Sequence, residues 1–555
     1  MLDAPRSASP LRWSAAWAVL PIAIGVVAYL YGLHLVAIPN IGDEPLYLQI
    51  ARRTLDSGRL LPLLSDTGIT DTKPPLLFWQ GIAAAHLAGF ELLWLRLPNV
   101  LLTFATAALA GLLAARASGR RGAGVVAASV FLAFWSTVQH GRPFLTNAGE
   151  TLFLFLPLVL VSLRAGGVGP ALAMACGLSL GVASLYKSFA VIVPGTLGLA
   201  LVLRRRARGD LATFLRERGP FLAIAAGVAG AVFALWFLFD PRPDLIVSEF
   251  VLRENAGKFQ AGQYLAGLVS GPYPVWRIWV GPLRNALILA PVLLGLAVDL
   301  WRRRRALPDV EAELWRYVLA FLVFYSLPAQ RQENYLLPAM AVLAVLLALR
   351  WDAIPFAWFR VALVPLAVAA AAVPLLETRV EAAIGATVWS PWMAAIPVAL
   401  ALAAAAGAVS ARVGRALLPS LALVAAIVVT TFLAPFSRPL PPGPAAELAG
   451  RPVLFPERFQ RQSEMFRYLA RGVNIRSYPC NSVECYAPGP IDPDVYVAAL
   501  ARSNQAPPGF TVVTSRPVLR TRHSLAEIQA MVTGDLGPLI EWLLILKPAA
   551  ASAAR

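Results

Sequence analysis

The chain alternates between long apolar runs and short polar breaks. The runs fall at roughly 13–38, 92–115, 122–140, 147–164, 170–186, 188–203, 219–239, 280–301, 314–329, 334–350, 354–376, 388–410 and 416–436. Most approach the roughly 18 to 25 residues that a helix needs to cross about 30 Å of hydrocarbon. Membrane-barrel strands would instead alternate apolar and polar residues in segments of about ten, and the sequence shows no such pattern. The pattern predicts an α-helical polytopic membrane protein of about thirteen transmembrane helices, filling residues 1–436.

Beyond residue 436 the pattern changes. "SRPLPPGPAAELAGRP" reads as a Pro/Gly-rich linker around 437–450. "PVLFP" and "NIRSY" then predict strands on either side of an amphipathic helix over "ERFQRQSEMFRYLARG". "FTVVTS", a helix around "SLAEIQAMV", and "WLLILKP" complete a small α/β domain over 451–555. Its last apolar stretch is too short to span a bilayer.

Composition supports a membrane chain: of 555 residues, 58% are hydrophobic and 14% charged. The net charge is +17. Its distribution reads as topology, because Lys and Arg collect in cytoplasmic loops. With the N-terminus cytoplasmic, the even-numbered loops hold Arg116, Arg120 and Arg121, then Arg164, "RRRARGDLATFLRER", "WRRRR", Arg350 with Arg360, and Arg412 with Arg415. No soluble basic module points to nucleic acid. The loops at 39–91 and 240–279 and the tail after 437 are then expected outside the membrane, in the periplasm of a bacterial inner membrane. The first apolar run is too long for a cleaved signal and reads as a retained anchor.

The unusual chemistry falls in these outer loops. "PNIGDEPLY" sets Asp43 and Glu44 at the end of the first apolar run, and "DTKPPLLFWQ" holds Lys73 ahead of two prolines. A lysine on stiffened backbone near the surface suits a phosphate; it equally suits lipid headgroups. "QHGRPFLTNAGETLF" brings Arg142, Asn147 and Glu150, and "SLYKSFAVIVPG" brings Lys187. "EFVLRENAGKF" holds Arg253, Glu254 and Asn255, and "SLPAQRQENYLLP" holds Arg331 and Tyr335. Five distant loops thus put acids and bases on one membrane face. Acids alone would suit a cation pathway; acids with Lys and Arg suit an anionic ligand and a proton acceptor.

In order, "DEPLY", "KPPLLFW", "WLRLPN", "YKSFAVIVP", "LRENAGKF" and "NYLLP" resemble the bacterial branch of the GT-C glycosyltransferases. The nearest families are the lipid A aminoarabinose transferases and the dolichyl-phosphate-mannose protein mannosyltransferases. The resemblance covers roughly 10–350 and implies an inverting hexosyl or pentosyl transferase. Its donor would be a sugar on a polyprenyl phosphate, and its acceptor an envelope lipid such as lipid A, a glycan or a protein. Asp43 would act as the base, with Glu44 and Glu150 as further acids of the site, Glu44 binding, orienting or pairing with a basic neighbour. Lys73 and Arg331 would hold the donor phosphate, with Lys187 and Arg142 as further cations. Asn147, Tyr335, Arg253, Glu254 and Asn255 would contact substrate. Many relatives carry Asp where this chain has Asn147, so either Glu150, one turn on, takes over that role or the second acid is missing. No cofactor is read from the sequence, and a divalent metal is left open.

Two other readings compete: a transporter or flippase of a lipid-linked sugar, and a non-catalytic assembly partner of the same fold. A transporter should carry its charges near the midplane on broken helices, often in repeated halves. Cys480 and Cys485 lie in the tail, where an oxidising compartment and four intervening residues predict a disulfide.

Overall fold

The computed structural model describes residues 15–164, 167–207, 210–259, 266–269, 271–457, 463–479, 495–520 and 524–549. Cys480 and Cys485 lie outside them. Each of the thirteen apolar segments contains a helix. Seven helices among the described residues are long and apolar enough to cross a membrane by themselves, or eight if a bent pair is one span. The others are shorter than the runs suggest, for example α1, Ala15–Leu30. The chain is a multi-pass membrane protein with a small C-terminal sheet domain.

The first outer loop is ordered. It forms α2 (Glu44–Asp56), a hairpin of β1 (Leu64–Ser65) and β2 (Gly68–Ile69), and α3 (Leu76–Ala88). Then come α4 (Leu92–Ser118), α5 (Arg121–Ala133) and α6 (Trp135–Gly141). A Cβ on Gly111 of α4 would lie 2.9 Å from the Gly124 carbonyl of α5, and one on Gly124 would lie 2.7 Å from the Gly111 carbonyl. Two small residues therefore let these backbones touch, as at close helix crossings in membranes. The chain bends by 66° between α5 and α6. Phe134 is extended there, and the bend carries His140 and Gly141 towards the loops.

The next helices are α7 (Asn147–Leu163), α8 (Pro170–Tyr186), α9 (Ile192–Arg206) and α10 (Leu211–Phe239). After α10, the long outer loop contains a π-helix, Ile246–Asn255, a form that is rare and often sits at functional sites. Its Ile246 and Phe250 pack with Phe233 and Trp236 of α10.

The helix ends opposite these loops are tied together by ion pairs. Arg120 meets Asp352 at 3.3 Å, Arg205 meets Asp309 at 2.7 Å, Arg206 meets Glu313 at 2.6 Å, and Arg350 meets Asp299 and Glu311 at 3.3 Å. The arginine-rich loops thus gather at one end of the bundle, and the loops bearing unusual chemistry gather at the other.

The C-terminal domain is a five-stranded mixed sheet of order β4-β3-β5-β7-β6. Its strands are β3 (Pro452–Glu457), β4 (Asn474–Pro479), β5 (Tyr496–Ala501), β6 (Phe510–Leu519) and β7 (Ile540–Pro548). β3 pairs in parallel with β4 and β5, while β7 pairs antiparallel with β5 and β6. The sequence pattern does not predict β5, the central strand. All six of its residues are buried, so "YVAALA" shows no alternation. The helix Leu525–Val532 starts at a capping box formed by Ser524 and Glu527.

The domain docks at two points. Ile540 joins an apolar cluster with Val380, Ile384, Trp389 and Phe436. Met465, on the helix Ser463–Leu469, packs into the cluster holding Tyr47, Leu48 and Phe78.

Candidate active site

Asp43 and Glu44 are adjacent but have different environments. Asp43 is the residue before α2; it is exposed, makes no capping bond and lines a cavity. Glu44 is fully buried and receives both ends of the Arg96 guanidinium at 2.7 and 2.6 Å. The Phe144 N–H donates to it at 2.6 Å. Arg96 also donates to the carbonyls of Leu33 and Leu35, at 2.8 and 2.6 Å. Removing one partner of such a pair strands a buried charge, at a cost of about 3–5 kcal/mol. Glu44 is thus a scaffold group paired with a basic neighbour, and it does not line the cavity.

The motifs are joined by a hydrogen-bond chain. Tyr186 Oη donates to Gln80 Oε1 at 2.7 Å, and Gln80 Nε2 donates to Asn99 Oδ1 at 2.9 Å. Asn99 Nδ2 then donates to the carbonyls of Pro143 and Leu145, at 2.6 and 2.8 Å. "KPPLLFWQ", "WLRLPN", "RPFLTN" and "YKS" are thereby fixed to one another. Gly149 is needed here, because a Cβ would lie 2.6 Å from the Tyr186 ring.

These loops enclose a cavity of about 1470 Å³. Asp43, Lys73, Asn147, Lys187, Arg253, Glu254, Asn255 and Tyr335 all line it. Lys73 lies 3.6 Å from Glu254, and Lys187 lies 3.6 Å from the buried Glu150. Lys187 also stands 5.4 Å from the centre of the Tyr335 ring, a cation–π distance. Asn255 accepts from Ser188 Oγ at 2.8 Å and donates to the Phe250 carbonyl at 2.7 Å, which ties the π-helix to the Lys187 loop. Arg253 is paired with Glu249. Burial, with Asp43 nearby, raises the Tyr47 phenol well above its usual range, so this cavity residue is a neutral hydroxyl.

Two expected phosphate ligands are placed elsewhere. Arg142 is buried and donates to Thr430 Oγ1 at 3.0 Å and to the Tyr31 carbonyl. Arg331 is 1% exposed and donates to the carbonyls of Ser326 and Tyr273 at 2.9 Å each and of Gly267 at 3.3 Å. Neither lines the cavity. Arg142 serves a hydroxyl and a carbonyl and Arg331 serves loop carbonyls, and among the described residues the Lys and Arg side chains that line the cavity are Lys73, Lys187 and Arg253.

Sequence reasoning missed Arg96, Asn99 and Gln80, which hold the site, and His140, which lines it. It also missed the rim. Ser65, Asp66 and Thr67 of the hairpin and Ser477 and Tyr478 of β4 reach the same cavity. Asp66 is fixed by Arg53 and by Gln49 Nε2 at 2.7 Å. Among the described residues no group of three or more His, Cys, Asp or Glu side chains could hold a metal ion, and no step is drawn through one.

No protein-family model matches the chain. The undecaprenyl phosphate-alpha-4-amino-4-deoxy-L-arabinose arabinosyl transferase of Yersinia pestis (strain Pestoides F) is 25% identical over 324 residues, 55% of this chain and 54% of that protein. Its counterpart in Yersinia enterocolitica serotype O:8 is 25% identical over 321 residues, with the same shares. The chain spans about half the length of the curated relatives it matches. Among solved structures, ArnT from Cupriavidus metallidurans bound to undecaprenyl phosphate aligns with a TM-score of 0.61 at 19% identity, over 83% of this chain and 86% of that chain. The apo state of the same protein gives 0.60. The chain therefore has the fold of ArnT, and over the matched half it resembles the aminoarabinose transferases in sequence.

Proposed function

We propose that the chain is an inverting glycosyltransferase that moves a sugar from a polyprenyl phosphate to an acceptor at the outer face of the bacterial inner membrane. The observation that carries this reading is Asp43, an exposed carboxylate at a rigid helix start, facing a cavity it shares with Lys73 and Lys187. The solved relative that holds undecaprenyl phosphate supports the donor class. Gathering of the arginine-rich loops at the opposite end supports a cytoplasmic side there and a periplasmic side at the cavity. Residues 1–436 form the transferase domain in this reading, 437–450 the linker, and 451–555 a periplasmic domain.

In the reaction, Lys73 and Lys187 hold the donor phosphate and stabilise the charge that grows on it as it leaves. Their present partners, Glu254 and Glu150, keep them aimed into the cavity. Glu150 acts on Lys187, not on the acceptor. Asp43 takes the acceptor's proton while the acceptor oxygen attacks the anomeric carbon from the face opposite the phosphate. The test is transfer of labelled sugar from undecaprenyl-phosphate donors to envelope acceptors by the full chain in lipid nanodiscs. Transfer by the native chain and its loss in Asp43→Asn are expected. No transfer from any donor, with the acceptor fraction of a deletion strain supplied, would refute the reading.

A further inference from the structure

The way the C-terminal domain meets the bundle carries one of its helices out over lipid. The helix Phe356–Ile384 has 29 residues. At 1.5 Å per residue it is about 43 Å long, against about 30 Å of hydrocarbon. It starts at the arginine-rich end, next to Asp352, which meets Arg120. About 20 residues on, near Leu376, it reaches the far edge of the hydrocarbon, and its last two turns or so stand in the headgroup layer. Val361, Val364, Val368 and Leu375 are exposed at helical spacing and form its lipid-facing stripe. Arg379, also exposed, continues that stripe one turn beyond Leu375. It is a cation at the depth of the lipid phosphates. Trp392, exposed at the start of the next span, Pro391–Val409, sits where aromatic side chains line membrane interfaces.

The domain straddles the end of this helix. Ile540 packs with Val380 and Ile384, which are buried on the bundle side. Gly534 is on the lipid side: a Cβ there would lie 3.5 Å from Arg379 Nη1. Gly534 closely follows the helix Leu525–Val532, so that end of the helix is at headgroup level. The other end is held at a similar level. Glu527, in the first turn, is paired with Arg502 at 2.8 Å and with Arg520 at 2.7 Å. Arg502 follows Ala501 of β5, and Arg520 follows Leu519 of β6. Those two residues lie opposite Trp542 and Ile540 of β7, at the end of the sheet that docks on the bundle. The helix therefore lies across the bilayer surface. Its Leu525 is 74% exposed and its Ile528 45%. Three residues apart, they share one face.

We propose that the helix Leu525–Val532 is an interfacial anchor, with Leu525 and Ile528 in the acyl boundary of the leaflet on the cavity side and Arg379 among the lipid phosphates. The partner is the phospholipid surface and not a second protein. The bilayer then helps to set the tilt of a sheet whose β6 edge lies near the lipid and whose opposite edge, β4, presents Ser477 and Tyr478 to the cavity.

Site-specific photocrosslinking in cells tests this on the full chain. p-Benzoyl-phenylalanine is placed at Leu525, at Ile528, at Thr511 or at Val368. Thr511 is exposed at the other end of β6, about 27 Å from Leu519 at about 3.4 Å per residue, and serves as the control away from lipid. Val368, within the lipid-facing stripe, is the positive control. All four side chains are exposed, so the substituted chains should reach normal levels. After irradiation the purified chains are examined by mass spectrometry. We expect phospholipid adducts at 525, 528 and 368, each severalfold above the yield at 511. Adducts to another protein or to a second copy of the chain at 525 and 528, in place of lipid, would overturn the proposal. Equal lipid adducts at 511 and 525 would overturn it too, as would none at 525 and 528 while 368 gives them.

Discussion

Arg52 of α2 grips Glu464 of the C-terminal domain through two bonds, Nε at 2.7 Å and Nη2 at 2.8 Å, with the Glu464 side chain 2% exposed. The helix that begins beside Asp43 is therefore held at both ends: Glu44 is anchored to Arg96, and two turns on Arg52 is anchored to the outer domain. The domain that clamps α2 also presents Ser477 and Tyr478 to the cavity.

Glu464→Gln should lower transfer severalfold and loosen the domain, seen as faster proteolysis near residue 440. Exchanging the charges, Arg52→Glu with Glu464→Arg, should recover part of the loss. A purely local surface role predicts no recovery in the exchange, which double-mutant analysis of turnover and thermal unfolding would show.

The two adjacent acids should fail differently. Asp43→Asn should leave stability unchanged and cut turnover by about 10²- to 10⁴-fold, the usual contribution of a positioned base. Glu44→Gln leaves Arg96 buried without its counter-charge. It should reduce the yield and thermal stability of the membrane domain, by about 3–5 kcal/mol if expressed as unfolding free energy. Equal stability in both variants would contradict the division of labour.

Lys73→Met and Lys187→Met should each weaken binding of undecaprenyl phosphate. Charge-assisted bonds are worth about 1.5–3 kcal/mol, or roughly 10- to 150-fold in affinity. Arg331→Met should change stability and leave affinity almost unaltered, because its donors serve carbonyls. Titration of the lipid phosphate into nanodisc-held protein checks all three.

Asp71 predicts a pH dependence. It is 1% exposed, and neither carboxylate oxygen has a hydrogen-bond partner. Burial first, then Asp240 and Asp244, raises its pKa to about 7. The folded state therefore binds a proton that the unfolded chain has already lost, so stability from this group falls as pH rises from about 4 to about 7 and is level above. Asp71→Asn should be more stable than the native protein at pH 8, by a few kcal/mol at most, with the gap narrowing at pH 5. Thermal unfolding at the two pH values decides it; an unchanged gap would refute the buried-acid account.

Much of the site is legible in the sequence because charges that interrupt apolar runs have few uses. That reasoning singles out Asp43, Lys73 and Lys187 in three separate loops, and the structure brings them to one cavity. Loop position does not fix the direction of a side chain, so Arg142 and Arg331 read as ligands, although Arg142 serves a hydroxyl and a carbonyl and Arg331 serves loop carbonyls. Arg96 is visible inside "WLRLPN" and carries an unused signal: a buried arginine at a span's start demands an acid, and Glu44 is already in view. The π-helix leaves no signal, since its composition is that of an ordinary amphipathic helix.

The chain of bonds from Tyr186 through Gln80 to Asn99 has a consequence for recombination between relatives. Each of the four motifs it joins supplies a donor or acceptor that only the others complete. A chimera that imports one loop alone should inherit unmatched buried polar groups and fold poorly, even where the imported loop is fully functional at home. Loops imported as a set should be accepted, and changes at Gln80 and Asn99 should be strongly non-additive. The inner wall of the cavity is thus a single heritable unit, and variation in substrate is free to accumulate at the rim, where the hairpin and β4 meet it.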